Sequence, residues 1–205
     1  MGLLSESTSG LQAADSRRPS ARLVPIALWC ATVALMLLVC SRPLRAEVLA
    51  GNQVEAVFLF NFSHFVEWPS PQNAEPGAPY VIGILGDDEF GARLDETVRG
   101  EVIDNHPLIV RRFHHIEEVN DCRILFIDHS ENDQLSRILS VLNHRSTLTV
   151  SDIPGAAEHG VMIQFLIENN RVRLRINQSA ARAANLTLSS NLLRVAELVS
   201  TSTGE

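Results

Sequence analysis

The sequence predicts an α/β domain: a largely parallel sheet with helices on both faces, plus a C-terminal β-hairpin and helices. Two observations predict it. Between residues 52 and 150, short apolar runs typical of buried strands alternate with segments whose apolar residues recur every three or four positions. Such alternation gives parallel strands joined by helical crossovers. Residues 161–167 and 171–176 then flank a polar Glu-Asn-Asn turn, and the second run alternates apolar residues with arginines, which indicates a hairpin with one solvated face.

The first half of the domain is predicted to contain two helices and two strands. The first helix ends before Pro69, because proline cannot continue a helix. Its predicted apolar stripe consists of Val54, Val57, Phe58, Phe62 and Phe65, and Leu59 and Phe60 widen it. Gly86 stops the first strand, and Asp87 or Asp88 can cap the helix that follows. The predicted bounds are residues 52–66 and 89–99 for the helices and residues 80–85 and 107–113 for the strands.

The second half is predicted to contain more strands and shorter helices. The continuous apolar character of residues 123–127 is typical of a strand covered on both faces. A helix over residues 130–142 is expected to begin with Ser130 as its cap. The other predicted elements are a short turn or helix at residues 117–118, strands at 147–150, 161–167 and 171–176, a loop or single turn at 152–159, and closing helices at 179–184 and 190–199. We expect the hairpin strands to lie at the edge of the sheet.

Residues 1–46 are predicted to be an export segment. Basic Arg17, Arg18 and Arg22 precede an apolar run over residues 23–40, and the small Ala46 precedes Glu47, which is the order of a secretory signal. The run is about as long as the shortest spanning helices, roughly 17–25 residues, so an uncleaved membrane anchor is the alternative. Either outcome places residues 47–205 outside the cytoplasm, and residues 47–200 are predicted to form the domain. Residues 201–205 are predicted to be a frayed tail.

The composition of the domain excludes several partners and chemistries. The chain contains no lysine, which removes Schiff-base chemistry and a phosphate-loop lysine. From residue 47 onward there are 12 arginines against 22 acidic residues, so we expect no nucleic-acid partner. Cys122 is the single cysteine of the domain, and because it precedes the apolar run at residues 124–127 we expect its thiol to be buried.

No motif in the chain predicts a catalytic or metal centre. The glycine spacing of residues 80–91 is not the dinucleotide fingerprint, and Asp87, Asp88 and Glu89 would repel a phosphate there. His114 and His115 are adjacent, the other five histidines are scattered over separate elements, and neither HExxH nor GxSxG occurs. We therefore predict that the protein is not an enzyme and holds neither a metal nor a cofactor.

Several segments along the domain match one known family in the family's order. They are residues 56–69 with their Trp-Pro end, 84–91, 122–127, 148–152, 160–163, 175–177, 180–182 and 188–193. Together they resemble the YfiR family. The resemblance implies a dimeric, non-catalytic periplasmic regulator that binds the periplasmic domain of an inner-membrane diguanylate cyclase and holds it inactive. It also implies that an outer-membrane lipoprotein captures the regulator, after which cyclic di-GMP, exopolysaccharide and biofilm rise.

The chain departs from the family pattern at two places. Family members often carry cysteine pairs that form disulfides, whereas Cys122 stands alone, which puts redox control in doubt. Gly160-Val161 replaces a pair of glycines, and Ala156 stands where an aromatic residue is common. The loop over residues 153–161 can therefore differ in shape, and the identity of the partner does not carry over.

The residues predicted to contact the partner lie at three places in the sequence. They are Glu67 and Trp68 at the end of the first helix, Asp87 and Asp88 in the first strand–helix turn, and the polar set Asp152, Asn177 and Arg182. Two alternatives stay open. Trp68 can belong to the core, and the polar set can be an internal hydrogen-bond network that fixes the last strand to the last helices.

The alternative function is that of a periplasmic small-molecule-binding sensor subunit. Ligands of open α/β sheets lie at the carboxyl ends of the strands, here near Gly86, Asp128 and Ser151.

Overall fold

The computed structural model describes residues 43–69, 77–143, 145–169 and 171–201, with side chains from residue 53 onward. The chain divides into two units, Met1–Pro43 and Leu44–Glu205, and the second contains the fold described below. The predicted export segment lies outside the described residues except at its last four positions, and so does the predicted tail after Thr201. Within the described residues, no helix has the length and apolar character needed to cross a bilayer.

The second unit is built on a mostly parallel eight-stranded sheet. The strands of the unit are β1 (Val66–Glu67), β2 (Tyr80–Leu85), β3 (Val102–Ile103), β4 (His106–Phe113), β5 (Ile124–Ile127), β6 (Leu148–Ser151), β7 (Ile163–Glu168), β8 (Arg171–Asn177), β9 (Thr187–Leu188) and β10 (Glu197–Val199). The sheet order is β10-β8-β7-β6-β5-β2-β4-β3, while β1 and β9 form a separate antiparallel ladder. Only the pairs β3–β4 and β7–β8 of the large sheet are antiparallel.

Helices cover both faces of the sheet, which confirms the predicted fold class. They are α1 (Pro43–Phe65), α2 (Ala92–Val98), α3 (Leu135–Leu142), α4 (Gln178–Ala183) and α5 (Ser190–Arg194), with 3₁₀ turns at Ile116–Glu118 and His129–Gln134. Alternate residues of a strand point to opposite faces. In β2, Ile82 and Ile84 accordingly join the core under α1, α2, α4 and α5, whereas Val81 and Leu85 join the core under α3.

The inner face of α1 differs from the predicted stripe. Helix α1 buries Ala56, Leu59 and Phe62, and Phe62 stacks on Phe165 of β7 with ring centroids 6.0 Å apart. Three residues predicted to be buried are exposed instead: Val54 at 44%, Val57 at 44% and Phe65 at 36%. The stripe was misjudged because small Ala56 gives little apolar signal, although it lets the helix approach the sheet closely.

The end of the chain also differs from the prediction. Residues 190–199 were predicted to be one helix, but α5 ends at Arg194 and β10 follows. Strand β10 pairs in parallel with β8, with Leu198 opposite Ile176. The hairpin strands β7 and β8 are therefore interior strands, and the sheet edges are β10 and β3. Residues 197–199 form hydrogen bonds with backbone groups of β8 that would otherwise be unpaired, and this outweighs the weak helical preference of so short a segment.

Two helices begin later in the chain than the sequence predicts. The residues before α2 form a turn in which the Asp88 carboxylate accepts the N–H groups of Phe90 and Gly91, so the helix begins at Ala92. Asp128, not Ser130, caps the next turn, by accepting the Ser130 N–H at 2.8 Å. That turn is 3₁₀, and α3 begins only at Leu135.

Cys122 is buried, as expected from its position before β5. Its Sγ donates to the carbonyl of Ile124 at 2.8 Å, and burial raises the pKa of the thiol to about 12. The thiol packs against β2 at Gly83, where a Cβ would lie 2.7 Å from the sulfur. The close packing of β2, β5 and the Cys122 loop thus depends on residue 83 being a glycine, which has no side chain.

Candidate functional site

A cleft of about 620 Å³ opens at the amino edge of the sheet. Tyr80 is the first residue of β2 and Arg123 directly precedes β5, so the cleft lies where these parallel strands begin. The end of α1 and the β3–β4 hairpin form its other walls. Its principal lining residues are Glu67, Trp68, Tyr80, Ile103, His106 and Arg123. We call it the Trp68 cleft.

An aromatic pair forms the wall of the Trp68 cleft. The rings of Trp68 and Tyr80 meet edge to face, with centroids 5.5 Å apart. Trp68 Nε1 and Tyr80 Oη are both buried and have no hydrogen-bond partner among the described residues. Burial also raises the pKa of the Tyr80 phenol, so it stays a neutral donor. A buried polar group without a partner costs about 1–3 kcal/mol, so this aromatic pair is held at some cost in stability.

The rim of the Trp68 cleft combines charge with apolar surface. Glu67 and Asp104 are exposed acids, and Val102 exposes 56% of its surface beside them. The His106 Nδ1–H donates to the carbonyl of Ala78 at 2.6 Å, which fixes the chain that leads into β2. The rim suits a ligand that presents both apolar and basic groups.

The structure brings together the first two predicted contact residues. Glu67 and Trp68 both line the Trp68 cleft, with Glu67 exposed and Trp68 half-buried against the main core. Trp68 therefore packs on the core and also lines the cleft, and its contact with a partner stays a prediction. Its indole Nε1 is buried.

Asp87 and Asp88 lie at the opposite, carboxyl edge of the sheet. Asp87 is exposed, and its N–H donates to Ser130 Oγ at 3.1 Å. The Asp88 carboxylate accepts the N–H of Phe90 within its own turn and forms an ion pair with Arg112, whose Nε lies 2.5 Å from Oδ2. The carboxylate of Asp87 is the one more available to a partner.

The predicted polar set does not form one network. Asn177 is fully buried: its Oδ1 caps α4, and its Nδ2 donates to the Ala157 carbonyl and Thr201 Oγ1, both at 2.8 Å. Asn177 thus fixes the end of β8 to α4. Arg182 is exposed on α4. Asp152 belongs to a different group of side chains, at the carboxyl edge.

That group is a cluster of four potential ligand residues that the sequence reading missed. Glu89, Asp128, His129 and Asp152 offer atoms that all lie within 4.8 Å of one another. We call it the carboxyl-edge cluster. The imidazole Nδ1 of His129 lies 3.3 Å from Asp152 Oδ2, 3.5 Å from Asp128 Oδ1 and 3.7 Å from Glu89 Oε1.

The surroundings of the carboxyl-edge cluster disfavour the charged form of two buried acids, Asp152 in the cluster and Glu55 beside it. Burial, together with the charge of Asp128, raises the pKa of Asp152 to about 6. Glu55 of α1 faces the cluster, and burial, together with the charges of Asp152 and Glu89, raises its pKa to about 8. Burial alone would lower the pKa of His129, but the surrounding carboxylates raise it above the ordinary value. The cluster therefore favours an added positive charge.

A signal for the cluster was present in the sequence. The parallel neighbours β2, β5 and β6 are each followed within four residues by an acid, namely Asp87 to Glu89, Asp128 and Asp152. The carboxyl ends of parallel strands meet at one edge, so these acids had to converge. Sequence spacing alone does not reveal this convergence, because the three strands are far apart in the chain.

Fold and cleft together define the class: an α/β domain with helices on both faces of its sheet and a ligand-sized cleft at the amino edge. A family model described as YfiR/HmsC-like matches residues 52–197, and the chain belongs to this family. The predicted family is thereby confirmed. It is a family of periplasmic regulators rather than catalysts, and its members act with membrane signalling proteins. No individual curated protein matches the chain significantly.

Proposed function

We propose that this protein is a periplasmic regulator that controls, by protein–protein contact, an inner-membrane signalling enzyme such as a diguanylate cyclase. Membership of the YfiR/HmsC-like family is the observation that carries the proposal. The Trp68 cleft supports it, because a half-buried tryptophan among exposed polar rim residues is typical of a binding hot spot.

Regulation would work through differential affinity. A regulator shifts its partner between active and inactive states only as far as it binds one state more tightly than the other. The acidic domain favours a partner that presents arginine or lysine, with association that slows as salt increases. The proposal includes a homodimer and release by an outer-membrane lipoprotein, as the family resemblance implies.

Cyclic di-GMP measured in cells tests the proposed function. Deletion of the gene should raise cyclic di-GMP, and the wild-type gene should restore it. Trp68→Ala should fail to restore it although the protein accumulates normally. Phe65→Ala is the matched control, because Phe65 is an exposed aromatic residue near the same helix end that does not line the cleft. An unchanged level in the deletion strain would exclude control of a diguanylate cyclase.

Capture of the inner-membrane partner tests the contact residues. We expect Trp68→Ala and Asp87→Arg each to give a folded protein that retains less of the membrane protein which co-purifies with the wild type. Asp133→Arg, at another exposed acid, controls for the change in charge. Equal retention by both variants would remove Trp68 and Asp87 from the contact surface. Glu67, Asp88, Asp152 and Arg182 remain proposed contacts to be tested in the same assay, whereas the full burial of Asn177 confines it to an indirect role.

The size of the Trp68 cleft also supports a second candidate function, a small-molecule-binding sensor subunit. Its volume falls within the range of small-molecule pockets, about 300–1,000 Å³. It lies at the amino edge, however, and not near Gly86, Asp128 and Ser151, where a ligand was expected. A metabolite that raises the melting temperature of the wild type but not of Trp68→Ala would favour this candidate.

A further inference from the structure

We infer that Glu89, Asp128, His129 and Asp152 form a binding site for a divalent transition-metal ion of the zinc class. The site lies at the carboxyl edge of the sheet, opposite the Trp68 cleft, and the inference does not rest on the proposed function. The residues come from three loops, which follow the parallel neighbours β2, β5 and β6.

The distances in the cluster fit a single ion. Metal–ligand bonds of about 2.0–2.2 Å to nitrogen and oxygen put the ligands of a tetrahedral ion about 3.3–3.6 Å apart. The three carboxylate oxygens lie 3.3, 3.5 and 3.7 Å from His129 Nδ1. Small side-chain rotations would therefore complete the coordination, and the backbone can stay in place.

The burial of Asp128 is the second observation that points to a ligand. Its side chain has no exposed surface. One oxygen, Oδ1, accepts the Ser130 N–H, while Oδ2 has no hydrogen-bond partner among the described residues. Oδ1 of Asp152 is likewise buried without a partner in the described part of the chain. Buried carboxylates are normally paired or coordinate a metal, and Asp128 and Asp152 each face His129 with one oxygen while the other lacks a partner among the described residues.

A protonated His129 is the competing explanation. One imidazolium would face the carboxylates of Asp128, Asp152 and Glu89. Its single Nδ1–H points to only one of these acceptors at a time. A divalent ion contacts all of them together and leaves the other ring nitrogen to solvent, in keeping with the 55% exposure of the His129 side chain.

The ligand set favours a transition metal. Imidazole suits zinc and its neighbours in the first row, whereas Ca²⁺ takes six to eight oxygen ligands and Mg²⁺ usually keeps several waters. The imidazole of His129 therefore favours Zn²⁺ over the alkaline-earth ions, and the carboxylates are compatible with it because Zn²⁺ also accepts Asp and Glu oxygens.

Gly86 holds two of the ligand loops together. Its φ is +96°, and a Cβ there would lie 2.6 Å from Ser130 Oγ. This close approach lets Ser130 accept the N–H of Asp87, which clamps the loop carrying Glu89 to the loop carrying Asp128. The ligands are thus positioned by backbone packing before an ion arrives.

Zinc titration of the chelator-treated full-length protein tests the site. Isothermal titration calorimetry with ZnCl₂ should show one tight site per chain, and MgCl₂ should bind at least tenfold more weakly. His129→Ala and Asp152→Asn should each lower zinc affinity by at least about tenfold, since even residues that only orient ligands contribute that much. His114→Ala, which removes an exposed histidine elsewhere, should bind zinc as the wild type does.

Cobalt substitution separates coordination from folding. Co²⁺ bound by the wild type should give visible absorption bands typical of tetrahedral coordination. Asp152→Asn, which keeps the shape of the side chain, should retain the far-UV circular dichroism of the wild type and lose these bands. The inference is overturned if the wild type binds no zinc, if His129→Ala binds it as tightly as the wild type, or if Mg²⁺ binds equally well. None of these outcomes bears on control of a diguanylate cyclase.

Discussion

Replacing Gly86 by alanine probes the close approach of the loops that follow β2 and β5. The new Cβ would lie 2.6 Å from Ser130 Oγ, 2.9 Å from Glu131 Cγ and 3.2 Å from Asp128 Cβ. Ordinary contacts between non-bonded carbon atoms lie at about 3.5–4.0 Å. The φ of +96° adds a second penalty, because a side chain is strained in the left-handed region.

The two penalties can be separated with a matched glycine. Left-handed backbone costs an alanine about 1–2 kcal/mol, and overpacking adds about 1–3 kcal/mol. Gly86→Ala should therefore lower the free energy of unfolding by about 2–5 kcal/mol. Gly100 has a φ of +79°, but a Cβ there meets nothing within 4 Å. Gly100→Ala should cost only the first penalty, about 1–2 kcal/mol.

Thermal unfolding followed by circular dichroism compares the two variants. In a domain of this size, 1 kcal/mol changes Tm by about 2–4 °C. We expect Tm to fall by about 4–20 °C for Gly86→Ala and by about 2–8 °C for Gly100→Ala. Equal losses would show that the two loops have room for a methyl group, which would refute the clamping of Glu89 and Asp128 by backbone packing.

Three further substitutions test the core and the ion pairs. Gly83→Ala should lower the free energy of unfolding, measured in urea, by about 1–3 kcal/mol. Adding Cys122→Ala should recover part of this loss, because Sγ is the nearest atom to the new methyl group. An unchanged urea midpoint for Gly83→Ala would contradict the close packing at this position. Asn177→Ala should lower the free energy of unfolding by about 2–4 kcal/mol, since it removes the cap of α4 and leaves the buried Ala157 carbonyl without its donor. A loss smaller than that of one exposed helix cap would contradict this structural role of Asn177. Arg112 lowers the pKa of Asp95, so the pair stabilises the fold above the ordinary carboxyl pKa and loses this effect as the pH falls through the lowered value. Arg112→Ala should accordingly cost about 1 kcal/mol at pH 7, discounted because both side chains are over a third exposed. The cost should decrease as the pH is lowered below the ordinary carboxyl pKa, and a cost that does not change with pH would argue against the ion pair.

The fold was predictable where local pattern and tertiary pairing agree. The bounds of β2 were predicted correctly, because its residues are apolar on both faces and Gly86 ends it abruptly. Strand β10 was not predictable, because its pairing depends on the open edge of β8, about twenty residues earlier in the chain. The face of α1 was only partly predictable, since Val57 of the predicted stripe is exposed and Ala56, which lies outside that stripe, is buried.

The candidate site was predictable only through topology. Glu67 and Trp68 could be selected from the sequence because a tryptophan at a helix end is conspicuous, but the cleft needs Tyr80 and the β3–β4 hairpin to enclose it. For the carboxyl-edge cluster, each ligand residue is unremarkable in its own segment. His129 and Asp152 are 23 positions apart, and only the adjacency of β5 and β6 brings them to 3.3 Å.

Strand β2 runs from one of the two sites to the other, and this sets how they can communicate. Tyr80 begins it at the cleft and Gly86 follows it at the cluster, so at about 3.3 Å per residue the two ends are about 20 Å apart. Exposed charges at the two ends are therefore largely screened from each other, because the screening length at physiological ionic strength is about 8 Å. Mechanical coupling along the strand would require β2 to slide. Because β2 is hydrogen-bonded on both sides, to β4 and β5, such sliding is costly, and the two ends can be altered independently by mutation.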